Sequence, residues 1–146
     1  TEMKNLSFDD AAKELKLKNV TFVPSVPKSD IAKTLAGAQA CIAILKPLKE
    51  YKTTYPNKVF DYMASARATV LVIDGVVREV VESSGGGVFV QPGNDEQLAK
   101  TILELSNDSR RVKQMGLNAR AYLVKHLDRK DKLNDTLKLL ESLVKP

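Results

Sequence analysis

Two hydrophobic rhythms alternate along the chain. Short runs rich in β-branched and apolar residues, at positions 20–23, 40–45, 69–73 and 88–90, predict four strands. Between them, apolar residues recur at three- and four-residue spacing, which predicts helices. Ser7 caps the first, expected to run to about Leu17 with Phe8, Ala12 and Leu15 inward. Ser29 caps a second over residues 30–38. Pro56 opens a third, whose Val59, Phe60, Met63 and Ala64 face the core. Asp74-Gly75 turns into a fourth near residues 78–83, and Asn94 or Asp95 caps a fifth carrying Leu98, Ile102 and Leu105. The tail, about 109–145, is helical, with Val112, Met115, Ala119 and Tyr122 on one stripe and Leu133, Leu137, Leu140 and Val144 on another.

Strand alternating with helix predicts an α/β fold: a Rossmann-like parallel sheet with helices on both faces. The continuously apolar runs at 40–45 and 69–73 suit strands covered on both sides. Ligands of such sheets bind at the carboxyl ends of the strands. That directs attention to the loops at 24–29, 46–57 and 74–77.

With 146 residues the chain has the size of one domain. Its 43% hydrophobic and 28% charged residues are those of an ordinary globular protein. Aromatics are scarce and Trp is absent, which argues against a surface that stacks on single-stranded bases. Cys41 is the only cysteine, so no internal disulfide forms, and its apolar neighbours predict a small buried hydrophobe. No run approaches a membrane span and the start does not read as a signal peptide, so the expected compartment is the cytoplasm.

Charge changes this picture locally. Residues 110–132 hold Arg110, Arg111, Lys113, Arg120, Lys125, Arg129, Lys130 and Lys132 against Asp128 and Asp131, a net charge of +6. Residues 53–109 carry −4. The basic flank suits either an anionic membrane surface, at the inner face of which the chain would sit, or simply a solvated helix face.

The segment from Tyr51 to Ala64 holds the richest candidate chemistry. A polar loop leaves a parallel strand and ends at a helix N-terminus, where free amides and the helix dipole favour a phosphate. Lys58 and Asp61 lie three apart on one side of that helix. They fit a site in which Asp61 accepts hydrogen bonds from two ribose hydroxyls, and equally an exposed ion pair. No His/Cys/Asp/Glu cluster has metal-ligand spacing, and the Gly85-Gly86-Gly87 run lacks the Lys-Ser/Thr of a P-loop. His126, the only histidine, sits in the basic tail.

In order and spacing the chain resembles the family-4 (group 1) glycosyltransferases, in the variety that builds bacterial surface polysaccharides. The resemblance runs through residues 17–23, Val26-Pro27-Lys28, Leu35-Ala36, residues 56–64, Gly75, Glu79-Val80-Val81, residues 87–90, Pro92-Gly93-Asn94-Asp95 and Leu98-Ala99. It implies the nucleotide-sugar-binding half of a retaining, two-domain GT-B enzyme, with a UDP-sugar or similar donor and neither a cofactor nor a metal. Asp61 then stands where the family has a ribose-binding glutamate. Thr53 falls where many members have a second glutamate that touches the sugar, which weakens the expected sugar contact. Lys58 becomes a diphosphate partner, beside Pro56, Asn57 and Thr54, and Ser25 and Val26 match the loop that meets the base.

Two parts of the family pattern are not found in the chain. These are the acceptor-binding N-terminal domain and the opening strand–helix–strand of the donor domain. The expectation is therefore a partial donor domain spanning residues 1–146, without catalytic residues of its own, needing the acceptor half as partner and inactive alone. In the strand order 3-2-1-4-5-6 the strand at 20–23 would be separated from the other three. Competing readings are a non-catalytic nucleotide-sugar-binding or partner subunit and a basic α/β module for nucleic acid. The second is disfavoured because the basic residues cluster far from the strand-end loops and no nucleic-acid motif is present.

Overall fold

A computed structural model describes residues 7–144. It has helices α1 (Phe8–Glu14), α2 (Ile31–Ala36), α3 (Asn57–Ala64), α4 (Val76–Ser84), α5 (Asp95–Ser106), α6 (Ser109–His126) and α7 (Arg129–Val144). The strands are β1 (Ala40–Ile44), β2 (Ala68–Val72) and β3 (Gly87–Phe89). Two 3-10 turns, Lys28–Asp30 and Lys49–Thr53, precede α2 and α3. The expected helix end at residue 145 lies outside the described residues.

The sheet is parallel throughout, in the order β1-β2-β3, with Ala40 beside Ala68 and Thr69 beside Gly87. All five residues of β2 are buried, as expected of a central strand. On one face Ala43, Leu71 and Ile73 pack with Val59 and Met63 of α3, Val77 and Val81 of α4, and Ala119 of α6. On the other, Ala68, Val70, Val72 and Val90 pack with Leu105 of α5 and Val112 and Met115 of α6. The α/β arrangement with both faces covered agrees with the sequence.

Five local expectations are corrected. Residues 20–23 are extended but pair with no described strand, and Val20, Phe22 and Val23 are exposed. β-Propensity measures fit to a pleated, half-buried surface, and that segment has none beside it. Phe8 and Leu15 are exposed rather than inward, and α1 stops at Glu14, before Lys16 takes a positive φ of 52°. Ser29 does not cap α2; its hydroxyl reaches only the Asp30 carboxylate, at 3.5 Å. Strand β1 is not buried throughout. Cys41 and Ala43 face α3, whereas Ile42 and Ile44 are 41% and 49% exposed, because on their side the cluster of α5 and α6 takes in β2, Val88, Val90 and, of β1, only Ala40. Ile102 of α5 is likewise 40% exposed, and Thr101 takes the buried position.

Edge strand β1 is guarded by α3. The Tyr62 hydroxyl donates to the Ile42 carbonyl at 3.3 Å and the Lys58 ammonium to the Ile44 carbonyl at 3.0 Å. These bonds occupy backbone acceptors that an edge would otherwise offer to another chain. Burial pushes the Tyr62 phenol above its ordinary range, with Cys41 and Asp61 adding to it. Burial also raises the Cys41 thiol, against the lowering pull of Arg67, in keeping with a packing role.

Candidate functional site

The loops that leave the carboxyl ends of the strands converge on one cavity of about 230 Å³. Leu45 to Leu48 follow β1, Ile73 and Asp74 follow β2, and Gln91 and Pro92 follow β3; Tyr51 and Lys52 close the wall. Gly75 sets how closely the first two loops approach. It has φ 116° and ψ −157°, a conformation reserved in practice for glycine. A Cβ there would overlap the backbone of Lys52. The 3-10 turn Lys49–Thr53 therefore rests directly on the start of α4.

Charge lines the cavity. The Lys52 ammonium stands 3.5 Å and the Arg78 guanidinium 3.7 Å from the Asp74 carboxylate. Arg78 also meets Glu82 at 3.0 Å and lies 3.9 Å over the Phe89 ring. These side chains are all more than a third exposed, so each pair contributes little to stability. Their consequence is orientation: Arg78 is held by two carboxylates and a ring, whereas Lys52 has one exposed contact and Lys46 no ion pair among the described residues.

Helix termini supply the second element of the site. The N-termini of α1, α5 and α6 are closed by side chains, with Ser7 accepting from Asp10, Asn94 from Gln97 and Asp108 from Arg111. The helices that follow β1 and β2 are not. Neither α3, entered through Pro56, nor α4, entered through Gly75, has a capping side chain; the six-residue α2 lacks one too. Uncapped first turns of α3 and α4 present amide donors and the positive end of each dipole.

The structure disperses the residues singled out from sequence. Pro56 is the N-cap of α3 and Asn57 its exposed first residue. Asp61 is one turn further, half-buried, with no side-chain hydrogen bond or ion pair among the described residues. The surface pair with Lys58 does not form, because Lys58 is drawn to the Ile44 carbonyl. The Thr53 and Thr54 hydroxyls turn back to the Glu50 carbonyl at 3.4 and 3.2 Å. Ser25 and Val26 are exposed on the segment after Phe22. None of these eight lines the cavity. Lys46, Lys52, Asp74 and Gln91, which do, were missed individually. The position of their loops at strand ends was the signal available. Among the described residues no three His, Cys, Asp or Glu stand together as a metal site.

The fold is consistent with what comparison finds. Residues 3–108 match the model of a family described as glycosyl transferases, group 1. The chain belongs to that family. No curated protein and no solved structure matches it. As a group 1 glycosyltransferase domain it has a role in sugar transfer, and its three-stranded parallel sheet flanked by helices is the Rossmann-like arrangement suited to one.

Proposed function

We propose that the carboxyl pole of this domain binds a nucleoside-diphosphate sugar, and that the chain is the donor half of a retaining hexosyltransferase. The observation that carries the reading is the pair of uncapped helices, α3 and α4, opening at the ends of adjacent parallel strands. Their amides suit the diphosphate, and Lys46 and Lys52 supply nearby cations. Asp61, one turn into α3 and without a partner of its own, accepts from the ribose hydroxyls. Lys58 reaches a phosphate only by leaving the Ile44 carbonyl, so we give it the lesser part. Pro56, Asn57, Thr53 and Thr54 shape the entrance to α3, and Ser25 and Val26 lie toward the base.

In transfer, the bond between the anomeric carbon and the diphosphate oxygen breaks, and negative charge gathers on the departing diphosphate. Fixed amide dipoles aimed at that charge lower the barrier without reorganising. The domain needs no metal for this. A second domain positions the acceptor, a lipid-linked carrier or a growing polysaccharide, because a two-substrate reaction requires both held in register. The chain alone is therefore inactive. A lipid-linked acceptor would place the reaction at the inner surface of a membrane.

Calorimetry with UDP tests the reading. A charge-assisted hydrogen bond is worth about 1.5–3 kcal/mol, so Asp61→Asn weakens binding roughly ten- to a hundredfold. Removing the 2′-hydroxyl of the nucleotide weakens binding to the native chain and makes little difference to the variant. Additive effects of the two changes would remove Asp61 from the site.

A further inference from the structure

A cavity of about 580 Å³ opens at the amino pole, between the start of β1, the turn from α3 to β2, and helices α5 and α6. That volume is within the range small-molecule sites occupy. Ile102 and Leu105 of α5 and Val112 and Leu117 of α6 give it apolar walls. Ala40, at its edge, shares one face of β1 with the exposed Ile42 and Ile44, so an apolar strip of roughly 13 Å leads away from it along the strand. Two cations also line the cavity, Arg67 and Lys113, and no carboxylate does. Neither forms an ion pair among the described residues. Arg67 is half-buried and fixed: its Nε donates to the Ser65 carbonyl at 2.8 Å and its Nη1 to the Ala38 carbonyl at 2.7 Å. Those bonds hold the guanidinium without neutralising it, and they leave Nη2 with no hydrogen bond among the described residues. The space is held open as well. Gly116 already brings α6 against the Ala66 backbone, so the helix cannot slide inward to fill it.

From these observations we infer that the cavity binds a small organic anion, a carboxylate carried on an apolar body. The body lies between α5 and α6 and along Ile42, and the carboxylate meets Arg67 and Lys113. An apolar pocket with a few convergent polar groups is the usual form of a ligand site. An anionic head supplies the charge that the two cations lack, through charge-assisted hydrogen bonds. A guanidinium already fixed by backbone carbonyls loses little freedom in making them. A neutral apolar occupant would instead strip water from both cations and return nothing. A second copy of the chain is the weaker occupant, because a two-fold contact through this face sets Arg67 and Lys113 against their own like charges. The cavity is at the pole opposite the uncapped starts of α3 and α4, so the inference holds or fails apart from the transferase reading.

Calorimetry of the full chain with octanoate tests it, with octanol and acetate as probes that keep only the tail or only the head. Octanoate is expected to bind about tenfold or more tightly than either. Lys113→Gln, at an exposed position, should weaken octanoate about tenfold and leave octanol unchanged. Leu117→Glu, also exposed, sets an acid in the wall and should weaken octanoate by about tenfold or more without unfolding the domain. In nuclear magnetic resonance spectra, octanoate should move the amide signals of Gln39, Ala66 and Leu117 and leave those of α7 in place. Equal affinity for octanol and octanoate would overturn the inference, as would shifts confined to α7 or binding indifferent to both substitutions. Self-association in sedimentation velocity that Leu117→Glu abolishes, with octanoate unbound, would assign the face to a second copy and overturn it too.

Discussion

At the amino ends of the strands, α6 is pressed against backbone. Gly116 sits where a Cβ would overlap the Ala66 carbonyl, Gly86 does the same against Ala119, and Arg120 donates to the Ala64 carbonyl at 2.6 Å. At the carboxyl ends the contacts are short loops, exposed ion pairs and helix starts left without caps. The amino pole is braced, not sealed, since a cavity of about 580 Å³ opens there between Ala40, Arg67, α5 and α6; what sets the carboxyl pole apart is its uncapped helix starts.

That contrast can be broken at its tightest points. Gly75→Ala is the most severe change, combining a forbidden backbone conformation with displacement of Lys52. It should destabilise by about 4 kcal/mol. At temperatures where the variant remains folded it should also lose most UDP binding, because the two loops separate. Thermal unfolding and calorimetry together read both effects. Retained affinity in the folded variant would detach the cavity from the function.

Gly116→Ala gives the complementary result. Alanine gains up to about 1 kcal/mol of helix propensity, but the overlap with Ala66 outweighs it, for a net loss of about 2 kcal/mol. Affinity of the folded fraction for UDP should not change. A stabilised variant would show that α6 stands off the sheet.

Tyr62→Phe probes the smallest effect. At neutral pH it removes one long hydrogen bond and should cost about 0.5 kcal/mol. Folding favours the protonated phenol, whose folded value lies above its ordinary one near 10. Its contribution is therefore complete below that ordinary value and is lost as pH rises through the folded one. Denaturant midpoints between pH 9 and 11 should fall more steeply for the native chain than for the variant. Parallel curves would place Tyr62 in solvent.

Much of the architecture was legible because it rests on local patterns. Residues 70–73 are apolar without interruption, as a doubly covered strand must be, and Val59 and Met63 carry the helical spacing that buries them. The segment at 20–23 misled for the converse reason. Its residues have strand chemistry, but pairing belongs to the neighbour, and no described strand lies beside it. The site was legible to the level of its loops. Strand-end geometry pointed to 46–57 and 74–77, yet Lys52 against Gly75 is a contact across more than twenty positions with no periodic signature. Likewise nothing local announces that Lys58 turns to Ile44 instead of Asp61.

The order of the strands has a consequence for how the chain reaches this state. In space they stand as they do in sequence, β1 then β2 then β3, so each one is added at the edge left free by its predecessor. Among the described strands, none must insert between two already paired. The partners Ala40 and Ala68, or Thr69 and Gly87, are brought together by closing one helical crossover at a time. Loop closure of that size is a modest entropic step, and it repeats instead of growing. A ribosome releasing the chain from its amino end would deliver the sheet in the sequence in which it can be built.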